Sequence, residues 1–217
     1  MKILAMCFLF LALAGCSKKM YTTKSVPPEF PLTDTAASII IIDNSTVNSS
    51  GIIGIRKKEN IVKEIRKRFF TQLVNHMQVE LHTNVLLDSN IEINDEKIKM
   101  LMHQSHALYV LAFHSFNEGF DRDRIEKEKD NSGTVTKKAY YSIYCSTNMD
   151  VYGSTGKSIS KQVEARTDHS DAVIAGALLD PGPSFEDNKK SLTDIALLNI
   201  TKTVGLFKER QISIRVK

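Results

Sequence analysis

Residues 38–42, Ser-Ile-Ile-Ile-Ile, form a short continuous β-branched run that ends at Asp43-Asn44-Ser45. Its length and branching predict a strand buried on both faces rather than a helix. A loop follows to Gly54. Over 57–81 apolar residues recur at 61, 65, 69, 73 and 77, with Val62, Phe70 and Val74 widening the stripe, which predicts an amphipathic helix. A second short strand is expected at 84–87. Asn94 is a good helix N-cap, with Asp95 and Glu96 where the helix dipole favours acid, and Ile98, Leu101 and Met102 supply a shorter apolar stripe. Residues 107–113 are apolar on both faces and suit a central strand.

The polar pattern changes after Phe116. Residues 117–138 are dense in Asp, Arg, Glu and Lys and read as a loop or a hairpin tip. From Tyr140 to Val151 apolar and polar residues alternate with period two, a strand; a turn at 153–156 and a more polar strand at 157–167 complete a hairpin. A short helix is expected at 170–179. Ser191-Leu192-Thr193-Asp194 resembles a capping box opening a helix to about Phe207. Ile212, Ile214 and Val216 alternate with polar residues as a half-exposed strand. The order is β-α-β-α-β-β-β-α-β, without internal repeats. It predicts an α/β domain: three-layer-like, a mixed sheet of five to six strands, and three or more helices.

The amino terminus has a different logic. Lys2 precedes an apolar run over 3–14, which is too short to span a bilayer as a helix. Leu13-Ala14-Gly15-Cys16 closes it. A basic start, a short apolar stretch and a small-residue cut site make a secretory signal. With Cys directly after the small pair, the segment resembles a bacterial lipoprotein signal. That resemblance implies cleavage before Cys16, a lipid (diacylglyceryl, palmitate-type) anchor on Cys16, and a cell-envelope address. The domains expected are 1–15, signal peptide; 16–35, a lipid-anchored flexible linker with Pro27-Pro28 and Pro31; and 36–217, the α/β domain.

Removing 1–15 leaves 202 of the 217 residues, enough for a sizeable core. The formal charge of +4 is mild and gives no argument for nucleic acid. Cys7 leaves with the signal and Cys16 is taken by lipid, so Cys145 alone remains and no internal disulfide is expected. In its alternating strand Cys145 reads as a small buried hydrophobe.

Candidate chemistry is sparse. Gly153-Ser154-Thr155-Gly156-Lys157-Ser158 fails as a phosphate loop: Val151 stands where the first glycine belongs, and the segment joins two strands. His103 and His106 lack a third ligand nearby. No Gly-x-Ser-x-Gly elbow occurs. No catalytic, cofactor-binding or metal-binding residue is expected. Asp43, at the carboxyl end of a buried strand, reads as a turn carboxylate; the alternative is a ligand crevice for a solute or substrate. Seven bases fall within 56–68, among them Arg66, Lys67 and Arg68, against Glu59 and Glu64. They read as a solvated helix face, or as a surface for an acidic partner or anionic lipid.

The element order, with Cys16-Ser17-Lys18-Lys19 behind Leu13-Ala14-Gly15, resembles an uncharacterised lipoprotein of Bacteroidetes type. Its domain is similar to that of the TolB amino-terminal, penicillin-binding-protein-activating lipoprotein and curli-channel group. The resemblance implies a non-catalytic module that binds another envelope protein, with a structural spacer as a further alternative. The absence of acid just after Cys16 implies the periplasmic face of the outer membrane. Asp34-Thr35-Ala36 resembles that group's O-glycosylation tripeptide, which would make Thr35 the acceptor. The charged segment 118–138 argues against a membrane-crossing hairpin. The binding edges expected are 157–167 and 212–216.

Overall fold

The computed structural model describes residues 21–34, 36–50, 55–129, 131–133, 135–154, 156, 158–173 and 187–215. The strands are β1 (Tyr21–Val26), β2 (Ser38–Ser50), β3 (Asn84–Ser89), β4 (Ala107–Lys129), β5 (Val135–Tyr152), β6 (Ser158–Val173) and β7 (Arg210–Arg215). The helices are α1 (Ile55–Leu81), α2 (Asp95–Gln104) and α3 (Lys189–Val204). The expected α/β order is present from β2 onward, with β1 added before it. The chain divides into two units: β1 and β7 form an antiparallel ribbon, and residues 29–208 hold everything else.

In the larger unit the sheet order is β3-β2-β4-β5-β6. β2 runs parallel to β3 and β4, whereas β4, β5 and β6 are antiparallel. The isoleucine run is buried on both sides, as its composition requires. Ile39 and Ile41 face α1 and α3, in one cluster with Val62, Ile65, Phe69, Leu73, Leu111 and Phe113. Ile40 and Ile42 face α2, with Ile98, Val110 and Ala112. The sheet is therefore sandwiched between helices over β2 and β4. Phe69 and Phe70 of α1 meet Phe113 and Phe116 of β4 edge-to-face, with centroids 5.0–6.4 Å apart, the arrangement aromatic quadrupoles favour.

Five expectations need correction. Residues 117–138 are mostly strand: β4 continues to Lys129 and β5 starts at Val135, so the polar segment is a long hairpin. Glu126 stands opposite Lys138 in its register, and Arg122 and Arg124 stand opposite Tyr141 and Tyr140. β2 does not end at Asp43; it passes through an irregularity between Asp43 and Thr46 and stays beside β4 to Ser50. The linker holds β1, and Phe30 is buried against Tyr109 and Phe207, so a core residue lies inside the segment expected to be free. The helix of 189–204 starts after Asn188 and not at the Ser191 box. Of the helix expected at 170–179, residues 170–173 end β6, and 174–179 lie outside the described residues.

Candidate functional site

Asp43 is the last β2 residue before the irregularity and pairs in register with Ser89, the last residue of β3. The sheet opens there under the solvent side of α1. A cleft of about 600 Å³ lies at this point, lined by Asp43, Lys63, Arg66, Lys67, Leu87 and Ser89 among others. It sits where ligand crevices form in open α/β sheets, outside the carboxyl ends of parallel strands.

One carboxylate oxygen organises the cleft floor. Asp43 Oδ1 accepts the backbone N–H of Ser45 at 3.1 Å and its hydroxyl at 2.7 Å. Those bonds are the turn carboxylate read from the sequence. The same oxygen also takes Arg66 Nη2 at 2.7 Å, while Arg66 Nε donates to Ser45 Oγ at 2.8 Å. Both side chains are mostly covered, Arg66 being 25% and Asp43 15% exposed. A charge-assisted bond at that depth is stronger than its surface counterpart. Arg66 also lies 5.8 Å over the Phe70 ring. The guanidinium is thus fixed and partly neutralised.

The other two predicted surface bases differ. Arg68 pairs with Glu64 at 2.7 Å, and Glu64 also receives Lys189 of α3 at 2.7 Å. The Lys189 bond holds the Glu64 carboxyl below its ordinary value. Lys67 is exposed and forms no ion pair with a described residue. Of the predicted residues, Asp43, Arg66 and Lys67 therefore meet in one cleft, while Arg68 belongs to a charge link between α1 and α3. Cys16 lies outside the described residues, and so does Thr35.

Among the described residues no group of His, Cys, Asp and Glu is placed to hold a metal ion. His103 and His106 are exposed. Gly153 and Gly156 close the β5–β6 turn through a 2.9 Å backbone bond, and Gly156 takes the positive φ of 71° that glycine tolerates. Cys145 is buried; burial pushes its thiol well up, and the facing Glu118 carboxyl adds to that.

Glu118 was invisible in the sequence because its segment reads as loop. It is fully buried opposite Cys145, both carboxylate oxygens lack a hydrogen-bond partner among the described residues, and burial drives its pKa well above the ordinary range. Asn199 of α3 was also missed. Its Nδ2 donates to the carbonyls of Cys145 at 2.9 Å and Val163 at 2.8 Å, tying the helix to β5 and β6.

Both outer strands of the five-stranded sheet, β3 and β6, have one side without a strand neighbour among the described residues. β6 is the longer at 16 residues, and Ile159 is 51% exposed on it. The expected edge at 157–167 is therefore found. The edge expected at 212–216 is occupied on one side: β7 pairs with β1 from Tyr21↔Arg215 to Val26↔Arg210.

No family model matches the chain, and no curated protein matches it. Similar solved structures include a neuraminyllactose-binding hemagglutinin homolog from Helicobacter pylori, at TM-score 0.46 and 14% identity over 82% of this chain and 91% of that one. Rare lipoprotein B from Shewanella oneidensis matches at TM-score 0.31 and 12% identity, over 76% of this chain and 89% of that one. A minor lipoprotein from Acinetobacter baumannii matches at 0.27 and 10%, over 77% and 91%. Bacterial lipoproteins are thus among the structures this chain is similar to. No helix among the described residues is long and apolar enough to cross a membrane.

Proposed function

We propose that this protein is a lipid-anchored, non-catalytic binding module of the cell envelope, held at the periplasmic face of the outer membrane through Cys16, and that it receives an envelope protein along β6. The address rests on the signal-like segment ending at Leu13-Ala14-Gly15-Cys16. The mode of binding rests on one observation: the 16-residue β6 strand has no strand neighbour on its outer side among the described residues. Such an edge offers a row of unused N–H and C=O groups to an incoming strand.

The test is affinity capture of the lipidated protein from gently cross-linked cells against a Cys16→Ala control, repeated with Ile159→Pro and Ser160→Pro. Of two successive strand residues, one N–H points to β5 and the other outward, so one of these prolines leaves the sheet intact while blocking the edge. Anchor-dependent capture lost in that folded variant supports the reading. Undiminished capture by every folded variant rejects it.

A second reading is favoured by the Asp43 cleft, where Lys67 stands beside a guanidinium already set in position: a small anionic solute binds there. A phosphate or dicarboxylate that raises the melting temperature of the parent but not of Lys67→Ala would move the function to this site.

A further inference from the structure

The charge of the chain is divided unevenly between the two units. Residues 1–28 and 209–217, which contain β1 and β7, hold seven of the 29 Lys and Arg but only one of the 25 Asp and Glu, Glu209. Their balance is +6, while the remaining 22 bases and 24 acids leave −2 for residues 29–208. Removing Lys2 with the signal still leaves a strongly basic ribbon segment.

The two ribbon strands themselves carry three of these bases, Lys24, Arg210 and Arg215, beside apolar residues. Lys24 stands opposite Ile212, and Val26 opposite Arg210, so these four share one face by the strand pleat. Lys24, Arg210 and Ile212 are exposed. Lys24 and Arg210 form no ion pair with a described residue, whereas Arg66 and Arg68 of the α1 face are matched by Asp43 and Glu64. Two bases flanking an exposed isoleucine suit an interface with anionic headgroups outside and hydrocarbon beneath. Covalent geometry adds the reach: Tyr21 follows Cys16 by five residues, a span of at most about 18 Å.

We propose that the β1–β7 ribbon is the membrane-resting surface of this protein, with Lys24 and Arg210 against the headgroups of anionic phospholipids and Ile212 between them. The inference takes its orientation from the reading of Cys16 as the anchor, and its test does not depend on that anchor.

The full mature chain carrying Cys16→Ser, and hence no lipid, is cosedimented with phosphatidylcholine vesicles made with and without phosphatidylglycerol. Binding is expected only to the anionic vesicles, and it should weaken as added salt shortens the screening length. Each base near an anionic surface contributes about fivefold to partitioning, so Lys24→Gln with Arg210→Gln lowers it about twenty-five-fold. The charge reversals Lys24→Glu and Arg210→Glu abolish it. Lys67→Glu with Arg68→Glu binds as the parent does. A parent that ignores anionic vesicles, folded ribbon variants that bind like the parent, or loss confined to the α1 variant would each overturn the proposal. The ribbon variants change exposed side chains, and circular dichroism confirms their fold. The intact mass of the native protein tests the anchor separately: an unmodified Cys16 ends the anchor reading and leaves the vesicle result standing.

Discussion

Glu118 makes the sharpest quantitative test of the fold. The side chain is fully buried on the β4 face that looks toward α1 and α3, its neighbour across the strands is Cys145, and neither carboxylate oxygen is hydrogen-bonded to a described residue. Burial favours the neutral acid and lifts its pKa well above 4.5. In the unfolded chain the same group titrates near its ordinary value. Between the two pKa values the unfolded chain has released a proton that the folded protein retains, so stability falls as pH rises through that window. Below the unfolded value both states are protonated and the effect is absent. The slope across the window is about 1.4 kcal/mol per pH unit. Glu118→Gln removes the titration but keeps the shape. Its amide brings buried donors without partners, a cost of about 1–3 kcal/mol that does not vary with pH. The variant should therefore start less stable than the parent in acid and gain on it steadily above pH ~5. In a chain of this size the gain reads as roughly 3–5 °C in melting temperature per pH unit. Urea unfolding of both proteins from acid to mildly alkaline pH measures it. Parallel stability curves across that range would refute the account, and with it the burial of Glu118.

Three further outcomes follow from single contacts. Asp43→Asn takes the counter-charge from a mostly covered Arg66 and should cost about 1.5–3 kcal/mol in urea unfolding, while strengthening phosphate binding in the cleft by titration calorimetry. Asn199→Ala takes the side-chain donor from the carbonyls of Cys145 and Val163; two lost bonds predict a loss of about 1–3 kcal/mol, and a loss under ~0.5 kcal/mol would show that α3 does not tie β5 to β6. Cys145, buried with its thiol pushed up, should react with an aromatic disulfide reagent at mildly alkaline pH only as fast as the protein unfolds; immediate reaction would contradict its burial.

What could be read in the sequence was local. The helix of α1 announces itself because its buried positions, 65, 69, 73 and 77, recur every four residues. The Ile39–Ile42 run announces a doubly covered strand because no face of it is polar. Asn94 was recognisable as a cap, and its side chain does accept the Lys97 N–H at 2.9 Å. The missed features depend on partners far along the chain. β1 is a short Thr- and Ser-containing stretch whose partner lies at 210–215. The charged half of β4 is a strand because β5 aligns beside it: Arg124 lies 4.4 Å over Tyr140, and Arg166 of β6 reaches across to Asp121 at 2.5 Å. Such pairs stabilise a polar sheet surface, and no window of neighbouring residues contains them. The cleft shows the same division. Asp43 and Arg66 each stood out, but only the packing of α1 on β2 joins them.

His114 explains how the two halves of the sheet come to share one core. In the β4–β5 ladder Phe113 pairs with Met149 and Ser115 with Asn148, so His114 is an extra residue on β4. A regular strand would send Phe113 and Phe116, three positions apart, to opposite faces. The bulge returns Phe116 and Phe120 to the side of Phe113, and all three belong to the large cluster under α1 and α3. Deleting His114 therefore takes out the bulge and keeps the facing: Phe113 and Phe116 become two positions apart and still pair with Met149 and Thr147. That variant should still unfold cooperatively and keep its near-ultraviolet dichroism. Inserting one alanine between Ser115 and Phe116 does the opposite and moves every side chain below it to the other face. Phe116 and Phe120 would then meet solvent, while Asn117, Gly119 and Asp121 would enter the core. Exposing two phenylalanines forfeits about 3–6 kcal/mol, and burying the Asp121 carboxylate adds several more. The total is comparable with the whole stability of an ordinary domain, about 5–15 kcal/mol. The insertion should therefore abolish the cooperative thermal transition and the near-ultraviolet dichroism, while His114→Ala, which keeps the residue count and loses only the exposed 2.9 Å contact to Asp150, should melt close to the parent. An insertion variant that unfolds cooperatively near the parent temperature would mean that residue count below the bulge does not set the facing of lower β4.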